Sequence, residues 1–437
     1  MKSIRLKNIF VVLLSAIAVI TGALFLGMSR ADLCFASDKE MDLDFFRGGG
    51  KPYIRISTWY KDGDLTYLKA FLAEQFPDYT FEFVYVDRSN YEPILDSQLS
   101  YKGAPDILYM DQEMIQKHAA TGYIAPVTDL CEDFSKEAWD AFSYGNQMYA
   151  VPNTSQFDCI YYNKDLFEKK GIPVPNSYYG FVSVCDNMRL VKGITPFSVS
   201  FKSPYALSDA ALAIVAATYF YSDRGSGFGG RLRYGRTTFR EEFLPYMDDW
   251  KDLMLHQVFT KDMYTIDQAT AMERFVDGMA GMTVGGPETY NEIIRRNPDM
   301  RIGTLPFYSR EGIREAVIGG CDLGLSLNKN SRYIEDAMRV LEALSTPEGQ
   351  QALWADRPGS QTYLKDVRFE NSEVYDGIKK CRDEGRIFAP WMSWGSDLNR
   401  PVRYQLGREL QGVVLEKQTV EEAIYNIDKL VKQILHG

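Results

Sequence analysis

The sequence predicts an α/β protein in which mainly parallel sheets are flanked by helices, and three observations lead to this fold class. Its 437 residues are enough for two or three domains or for one large two-lobed body. Apolar residues make up 45% of the chain and charged residues 25%, which is ordinary for a folded protein. Segments with strand periodicity alternate with helical segments, and this order favours right-handed crossovers between parallel strands.

The first part of the chain shows this alternation most plainly. Phe81, Phe83 and Tyr85 fall on one side of an extended segment, as the period of two in a strand requires. Because parallel sheets bind ligands at the carboxyl ends of their strands, residues 59–62 and 110–112 are expected to face a site. In chain order, the predicted elements are a strand at 53–59, a helix that Asp64 caps, a strand at 80–86, a helix at 90–101, a strand at 106–110 and a helix from Gln112 that ends at Gly122.

The second part of the chain continues the pattern with more buried elements. Residues 205–221 are too apolar for a surface helix, so a buried helix is predicted there. Residues 317–327 are predicted to form one strand that returns to the first sheet. The other predicted elements are strands at 159–163, 279–284 and 301–305 and helices at 164–170, 333–344, 347–355, 402–415 and 420–435, the last of which opens with a capping box of Thr419 and Glu422.

The N-terminal segment predicts export. Basic residues precede an apolar run at 9–28, which suits either a secretory signal cleaved near Ala36 or an uncleaved membrane anchor. Lipidation at Cys34 is a less favoured third alternative, because the residues before it do not match a lipobox. We take residues 1–36 as the signal peptide or membrane anchor and 37–51 as a spacer, so the body is expected outside the cytoplasm, in the periplasm or extracellular at the cell surface.

Charge and residue usage exclude several function classes. The net charge of −10 argues against a nucleic-acid-binding protein, which would need a basic face. Only His118, His256 and His436 are present, and they are far apart, so neither a histidine zinc site nor histidine acid–base chemistry is expected. The cysteines beyond the N-terminal segment are widely spaced and predict mostly buried thiols. We therefore expect no cofactor and no metal.

Two motifs with chemical meaning give only weak signals. Residues 225–230 match the pattern G-x-G-x-x-G, but a predicted helix precedes them where a dinucleotide site needs a strand, so a flexible surface loop is predicted. Asp111 and Glu113 could be read as the carboxylate pair of a glycoside hydrolase, although sequence spacing says nothing of the geometry such a pair needs. The chain carries no nucleophile-elbow, zinc-protease or Walker motif, which favours binding over catalysis.

An ordered set of segments resembles a known family, the extracellular solute-binding proteins of ABC importers. The similarity is to sugar-binding family 1, the maltose-binding-protein-like group, and it covers about residues 53–437. The segments that carry it are PDILYM at 105–110, GYIAPVTDL at 122–130, YAVP at 149–152, IYYNKDLF at 160–167, FVDGMAGMTVGG at 275–286 and STPEGQ at 345–350.

The resemblance implies a type II periplasmic-binding-protein-like fold, with two α/β lobes that close on a ligand by hinge motion. On this basis we expect an N-terminal lobe made of residues 52–155 and 316–365. The C-terminal lobe is expected to contain residues 156–315 and 366–437. A ligand would then lie in the cleft between the lobes.

The resemblance also implies a set of ligand-binding residues. Asp111, Gln156 and Tyr205 fall at positions where this family has ligand-contacting residues, whereas Glu288 stands where a stacking tryptophan is found. Sugars need apolar platforms for their C–H faces and planar polar groups for their hydroxyls. The predicted platforms are Trp59, Tyr60, Tyr205, Trp391 and Trp394, and the predicted polar partners are Asp62, Asp111, Gln156 and Glu288.

The function that the resemblance implies is capture of a carbohydrate, foremost an oligosaccharide, for delivery to the transmembrane permease subunits of an ABC importer. We expect no chemistry on the ligand and a monomeric protein, with membrane association only through the N-terminal segment. Two alternatives stay open: a sensory binding protein that presents its ligand to a membrane receptor, and, less favoured, a secreted glycoside hydrolase.

Overall fold

The structure is a computed structural model that describes residues 51–311, 315–370 and 372–436. The predicted signal peptide or anchor and nearly all of the spacer lie outside these residues. Lys51 to Tyr53 and Asp78 to Thr80 form a small unit of their own, in which Lys51 pairs with Asp78 at 3.7 Å. Almost all of the remaining described chain forms one compact body.

Strands and helices alternate along this chain, as predicted. The strands of the described residues are β1 Tyr53–Thr58, β2 Thr80–Tyr85, β3 Ile107–Asp111, β4 Ile124–Ala125, β5 Ser143–Tyr144, β6 Gln147–Met148, β7 Val151–Pro152, β8 Gln156–Asn163, β9 Thr195–Phe197, β10 Ala280–Gly285, β11 Ile302–Leu305, β12 Val317–Gly320, β13 Leu323–Asn328 and β14 Ile387–Phe388.

Helices fill most of the connections between these strands. In the same residues they are α1 Thr66–Gln75, α2 Arg88–Ser100, α3 Gln112–Thr121, α4 Lys136–Phe142, α5 Lys164–Lys170, α6 Tyr178–Arg189, α7 Pro204–Val215, α8 Asp223–Ser226, α9 Phe228–Arg233, α10 Phe239–Glu242, α11 Asp248–Leu255, α12 Gln268–Val276, α13 Pro287–Arg296, α14 Ile334–Ser345, α15 Pro347–Ala355, α16 Asp376–Asp383, α17 Ser396–Val414 and α18 Val420–His436.

Two six-stranded sheets organise the body. The first has the order β2-β1-β3-β13-β4, with β7 also paired to β13. The second has the order β14-β12-β8-β10-β9, with β11 also paired to β8. In each sheet one strand runs against its neighbours: β13 is antiparallel to β3, β4 and β7, and β8 is antiparallel to β10, β11 and β12. The two-sheet architecture agrees with the expected two-lobed α/β fold.

The strand predicted over residues 317–327 is in fact two strands in different sheets. β12 pairs with β8 and β14 in the second sheet, whereas β13 pairs with β3 in the first. The chain therefore changes sheet between Gly320 and Leu323, and the lobe boundary expected at residue 316 falls before β12. Gly319 has φ of 148°, and a Cβ there would lie 2.0 Å from the Gln156 carbonyl oxygen, so this glycine allows β12 to approach β8.

Helix ends follow local sequence in some places and distant residues in others. Gly122 ends α3 in the left-handed conformation, with φ of 72°, and Thr419 and Glu422 form the predicted capping box of α18. The predicted cap of α1 by Asp64 is wrong. Asp356 instead accepts hydrogen bonds from the backbone N–H groups of Tyr67 and Leu68, each at 2.9 Å. A residue distant in sequence thus caps this helix.

The buried helix predicted over 205–221 is confirmed and lies at the centre of the second half of the molecule. α7 continues into a π-helical turn at Ala216–Phe220, and nearly all of its side chains are buried in one large apolar cluster. α17 packs along α7, and α18 packs on α17. These helices give the second sheet a rigid apolar support.

The glycine-rich segment at 225–230 is not the flexible surface loop that its composition predicted. It lies in α8 and α9, and Gly225 is buried so closely that a Cβ would stand 1.9 Å from the Tyr219 carbonyl oxygen. The glycines serve helix packing at this place. Cys131, Cys159, Cys185, Cys321 and Cys381 are all buried free thiols, in agreement with the prediction from their spacing.

None of the helices within the described ranges combines the length and apolar character needed to cross a membrane.

Candidate functional site

The candidate site lies where the carboxyl end of β1 meets the first residue of β8. Trp59 and Tyr60 follow β1 directly, and Gln156 opens β8. The Gln156 amide Nε2 donates a hydrogen bond to Tyr60 Oη over 2.9 Å. This bond joins a residue after a strand of the first sheet to a strand of the second, so the two sheets approach each other at the site.

A cavity of about 500 Å³ opens beside this contact. Four of the nine predicted site residues line it: Trp59, Tyr60, Gln156 and Glu288. Lys61 and Asp64 lie on the same side as Trp59, and the facing wall comes from α12 and α13. The wall therefore combines aromatic rings, an amide and charged groups, which is the chemistry of a polar ligand site with apolar patches.

Arginines cover the aromatic rings of this site. The guanidinium carbon of Arg88 lies 4.3 Å from the centroid of the Trp59 ring, and that of Arg357 lies 3.6 Å from the centroid of Tyr60. Trp59 also packs edge-on against Tyr91, with centroids 4.8 Å apart. Cation–π contact thus holds one face of each ring in place.

Asp111 lies in a charged cluster centred on Arg400. Asp111 Oδ1 accepts from the Met114 N–H at 3.0 Å, which caps α3, and Oδ2 accepts from Arg88 Nη2 and Arg400 Nη2, each at 2.6 Å. Arg400 also pairs with Glu92 and Glu113. We call Arg88, Glu92, Asp111, Glu113 and Arg400 the Arg400 cluster.

The Arg400 cluster connects the two halves of the body. Arg400 comes from α17, which packs on α7 beside the second sheet, whereas the three carboxylates come from α2, β3 and α3 around the first sheet. Burial, with the neighbouring Arg88 and Arg403, lowers the pKa of Arg400 to about 10, so it stays charged at neutral pH. Burial, reinforced by Asp111, raises the pKa of Glu113. The carboxylate of Asp111 therefore already has two arginine partners, Arg88 and Arg400.

Tyr205 and Trp391 lie near a second arginine. Arg403 lies 3.7 Å from the Trp391 ring centroid and 5.3 Å from that of Tyr205, and its Nη2 lies 2.9 Å from both carboxylate oxygens of Asp209. Tyr205 is half-buried, whereas Trp391 is buried in the turn before α17. Neither ring lines the 500 Å³ cavity.

Two predicted site residues do not belong to the site. Asp62 has a side chain that is 91% exposed and pairs with Lys69, and the cavity is lined by its neighbours Lys61 and Asp64 instead. Trp394 is completely buried, with its ring 5.3 Å from that of Phe239. The first points to solvent and the second belongs to the core, so both assignments are corrected.

Sequence reasoning did not find the arginines of the site. Arg88, Arg357, Arg400 and Arg403 occur in ordinary helical or loop contexts, and nothing in the spacing of one chain links Arg400 to Asp111, 289 residues away. Asp158 did carry a signal. It lies on the same face of β8 as the buried Ile160, where an acid is unusual and indicates a functional or paired group.

Metal binding receives no support from the described part of the chain, where no three His, Cys, Asp or Glu side chains are grouped to hold an ion.

Comparison with known proteins places these features in context. Residues 66–368 match the model of the bacterial extracellular solute-binding protein family. The multiple sugar-binding protein of Streptococcus mutans is 20% identical over 323 residues, which are 70% of this chain and 73% of that protein. The melibiose/raffinose/stachyose-binding protein MelE of Bacillus subtilis is 22% identical over 292 residues, 64% of this chain and 65% of MelE.

Solved structures share the fold. The binding protein RafE in complex with raffinose superposes with a TM-score of 0.69 at 19% identity, over 88% of this chain and 99% of RafE. A sugar transporter protein from Bacillus licheniformis in complex with stachyose gives 0.66 at 17% identity, over 87% of this chain and all of that one. The type II two-lobed fold is thereby established. Since the family match covers well over half of its length, the chain belongs to the bacterial extracellular solute-binding proteins.

Proposed function

We propose that this protein captures an oligosaccharide in the cleft between its two lobes and delivers it to the transmembrane subunits of an ABC importer. The observation that carries the proposal is the 500 Å³ cavity, where Trp59 and Tyr60 face polar groups of the second lobe. Aromatic rings suit the C–H faces of pyranoses, and the amide of Gln156 and the carboxylate of Glu288 suit their hydroxyls.

The relatives support a sugar as the ligand class. Their names include multiple sugar-binding and melibiose/raffinose/stachyose-binding proteins, and two of the structural neighbours hold raffinose or stachyose. Other relatives are sn-glycerol-3-phosphate-binding proteins. The two arginines that line the cavity, Arg295 and Arg296, both pair with Glu292, so a phosphate is not the favoured ligand.

Three further points belong to this proposal. The N-terminal lobe comprises residues 52–155 and 316–365, except that β12, which ends at Gly320, belongs to the second sheet. The C-terminal lobe comprises residues 156–315 and 366–437. The protein works as a monomer outside the cytoplasm, where residues 1–36 act as a cleaved signal or an anchor. It performs no chemistry on its ligand, since the carboxylates of Asp111 and Glu113 are engaged by arginines.

A thermal-shift panel of raffinose, stachyose, melibiose, maltotriose, chito-oligosaccharides and sn-glycerol 3-phosphate tests the ligand class. A sugar present at about 100 times its Kd should add roughly 2.7 kcal/mol to the free energy of unfolding. Stabilisation by at least one oligosaccharide is the expected result. A shift with sn-glycerol 3-phosphate alone, or with no sugar, would overturn the proposal, and release of cleaved sugar during incubation would replace it with a hydrolase.

A further inference from the structure

A second cavity of about 210 Å³ lies in the half of the body that surrounds the second sheet. Its walls are mainly apolar rings and aliphatic side chains of β8, α6, α7 and α11 and the segments beside them, among them Phe181, Phe197 and Phe307. Gln268, Glu288 and Thr289 line both this cavity and the 500 Å³ cavity of the candidate site. The two spaces therefore share part of their walls, so the second cavity lies next to the candidate site.

Three carboxylates line this otherwise apolar space: Asp158 from β8, Asp209 from α7 and Glu288 from α13. Only Asp209 has a cationic partner, because Arg403 binds both of its oxygens at 2.9 Å. Asp158 and Glu288 make no ion pair with any of the described side chains. The cavity is thus lined by more carboxyl groups than it has cations to pair with them.

Asp158 is half-buried on β8, whereas Glu288 is the most exposed of the three. It pairs in register with Ile318 of β12, and its neighbour on the same face of β8 is Ile160. Burial, followed by the negative charges of Glu288 and Asp209, raises the pKa of Asp158 to about 8, and Arg403 offsets this only in part. The charged groups that act on Asp158 are thus Glu288 of α13, Asp209 of α7 and Arg403 of α17. Burial likewise raises the pKa of Glu288.

We propose that this second cavity binds a protonated amino sugar, whose ammonium group pairs with Asp158 and Glu288 while its C–H faces pack on the surrounding rings. This deepens the proposed function and rests on it: the captured oligosaccharide carries an amine-bearing residue. A neutral hydroxyl would form hydrogen bonds with the two carboxyl groups but, unlike an ammonium group, would not favour their ionised form. By the volume of about 30 Å³ that each water occupies in the liquid, the cavity holds the equivalent of about seven waters, room for one sugar ring.

The charge balance of binding follows from the same geometry. Below about pH 8 Asp158 holds a proton in the empty cavity, since the group's carboxylate form is disfavoured there. An ammonium ion favours the ionised carboxylate, so its arrival releases that proton to solvent. Binding of a protonated amine at mildly acidic pH is therefore accompanied by release of up to one proton for each ligand bound.

Calorimetry with a matched pair of sugars tests the proposal. The ligands are the disaccharide of glucosamine and its N,N′-diacetylated counterpart, titrated at mildly acidic pH in two buffers of different ionisation enthalpy. We expect the amine form to bind about tenfold more tightly, equivalent to about 1.4 kcal/mol, with proton release that the acetylated form lacks.

Asp158→Asn is the diagnostic variant, because it removes the charge and keeps the size of the side chain. This variant should bring the ratio of the affinities for the amine and acetylated forms close to one, and it should abolish proton release on binding. The control is Asp277→Asn, at an exposed aspartate after α12 that lines neither cavity. It should keep both the preference for the amine and the proton release. Circular dichroism and thermal unfolding verify that each variant folds, and the comparison of the two sugars on the natural protein is independent of any variant.

The outcomes separate this inference from the proposed function. Three outcomes would overturn the amino-sugar inference and leave carbohydrate capture standing. They are equal affinity for the amine and acetylated forms, an unchanged preference for the amine in Asp158→Asn, and binding of other oligosaccharides but not of the glucosamine disaccharide. Failure of every saccharide to bind overturns both.

Discussion

Trp59 illustrates how one residue of the candidate site can be held by structural contacts and still present a surface to the cavity. Its ring lines the 500 Å³ cavity while Arg88 covers part of it at 4.3 Å and Tyr91 contacts its edge at 4.8 Å. A ligand that stacks on this ring therefore uses a surface whose orientation is already fixed. Such preorganisation lowers the entropy cost of binding.

Trp59→Ala is expected to weaken oligosaccharide binding about tenfold, since both the stacking surface and its contact with Arg88 are lost. Calorimetry with the best sugar of the panel measures the change. Trp139→Ala is the matched control, because Trp139 is also half-buried but lines neither cavity and bonds through its indole N–H to the Cys131 carbonyl at 3.0 Å. Equal losses in the two variants would show that Trp59 acts only through the fold.

Residue types chosen for sugar chemistry include four that the structure brings to one cavity: Trp59, Tyr60, Gln156 and Glu288. Their role in binding stays a prediction. Aromatic rings and carboxylates also occur in cores and on surfaces, and the sequence does not show which of these places a given residue has. Trp394 is enclosed by the apolar cluster around α7, so its role depends on the packing of segments far apart in the chain.

At the scale of elements, α1 shows that a helix can depend on a residue remote in sequence. The carboxylate of Asp356 accepts the N–H groups of Tyr67 and Leu68, whereas the carboxylate of Asp64 accepts the N–H of Lys61, which precedes the helix, at 3.2 Å. Local pattern placed the helix correctly but named the wrong cap, because a cap requires only an oxygen in the right place and any part of the chain can supply it.

Asp356→Ala is expected to lower the free energy of unfolding by about 1–2 kcal/mol, because two backbone donors of α1 lose their acceptor. Urea unfolding measures the difference. Asp64→Ala should cost clearly less, and a larger loss from Asp64→Ala than from Asp356→Ala would contradict the observed cap.

Glu242 anchors the short helices that sequence analysis took for a loop. This buried carboxylate at the end of α10 accepts hydrogen bonds from Tyr219, from Thr237 Oγ1 at 2.7 Å and from Arg231 Nη2 at 2.6 Å. Burial alone would raise the pKa of Glu242, but these bonds outweigh it and lower the pKa to about 2. One ionised side chain thus holds three segments together.

Glu242→Gln should destabilise the protein by on the order of 2–3 kcal/mol at neutral pH. Because the pKa of this carboxyl is lower in the folded than in the unfolded protein, its contribution is complete above the unfolded value and is lost as pH falls toward 2. The gap between natural protein and variant in urea unfolding should therefore narrow steadily below about pH 4.5. Glu241→Gln, at the exposed neighbour, should show neither effect, and a gap independent of pH would refute the ionic anchor.

At the scale of the whole molecule, the Arg400 cluster is a charged link between the halves around the two sheets. One guanidinium from α17 pairs with Glu92, Asp111 and Glu113. Paired charges with limited access to solvent are screened little by salt, and removal of one member leaves the others uncompensated. This cluster therefore stabilises the observed arrangement of the lobes.

Arg400→Gln is expected to shift the ligand-free protein toward a more open form, seen as a larger radius of gyration in small-angle X-ray scattering. Addition of a bound sugar should reduce that radius again. Arg408→Gln provides the control, because Arg408 lies on the same helix with an exposed side chain. Identical scattering from Arg400→Gln and the natural protein would show that the cluster does not hold the lobes together.

The order of strand and helix patterns predicted the α/β class, and the resemblance to the solute-binding family predicted the two-lobed architecture. The exception is instructive. Residues 317–327 read as one apolar run because β12 and β13 are both buried along their whole length, so no change of periodicity marks the step from one sheet to the other. The strands with which β12 and β13 pair decide where the chain changes sheet, and a single sequence does not show those pairings.

The links where the chain changes sheet restrict how this molecule can move. Three residues separate Pro152 from Gln156, and two separate Gly320 from Leu323, so the latter pair can be at most roughly 10 Å apart even when fully extended. Tethers this short prevent the lobes from sliding past or away from each other and leave rotation about an axis through the links. Displacement then grows with distance from that axis, as along a lever, so a probe at the outer rim of the cleft will report closure far more strongly than one beside β8.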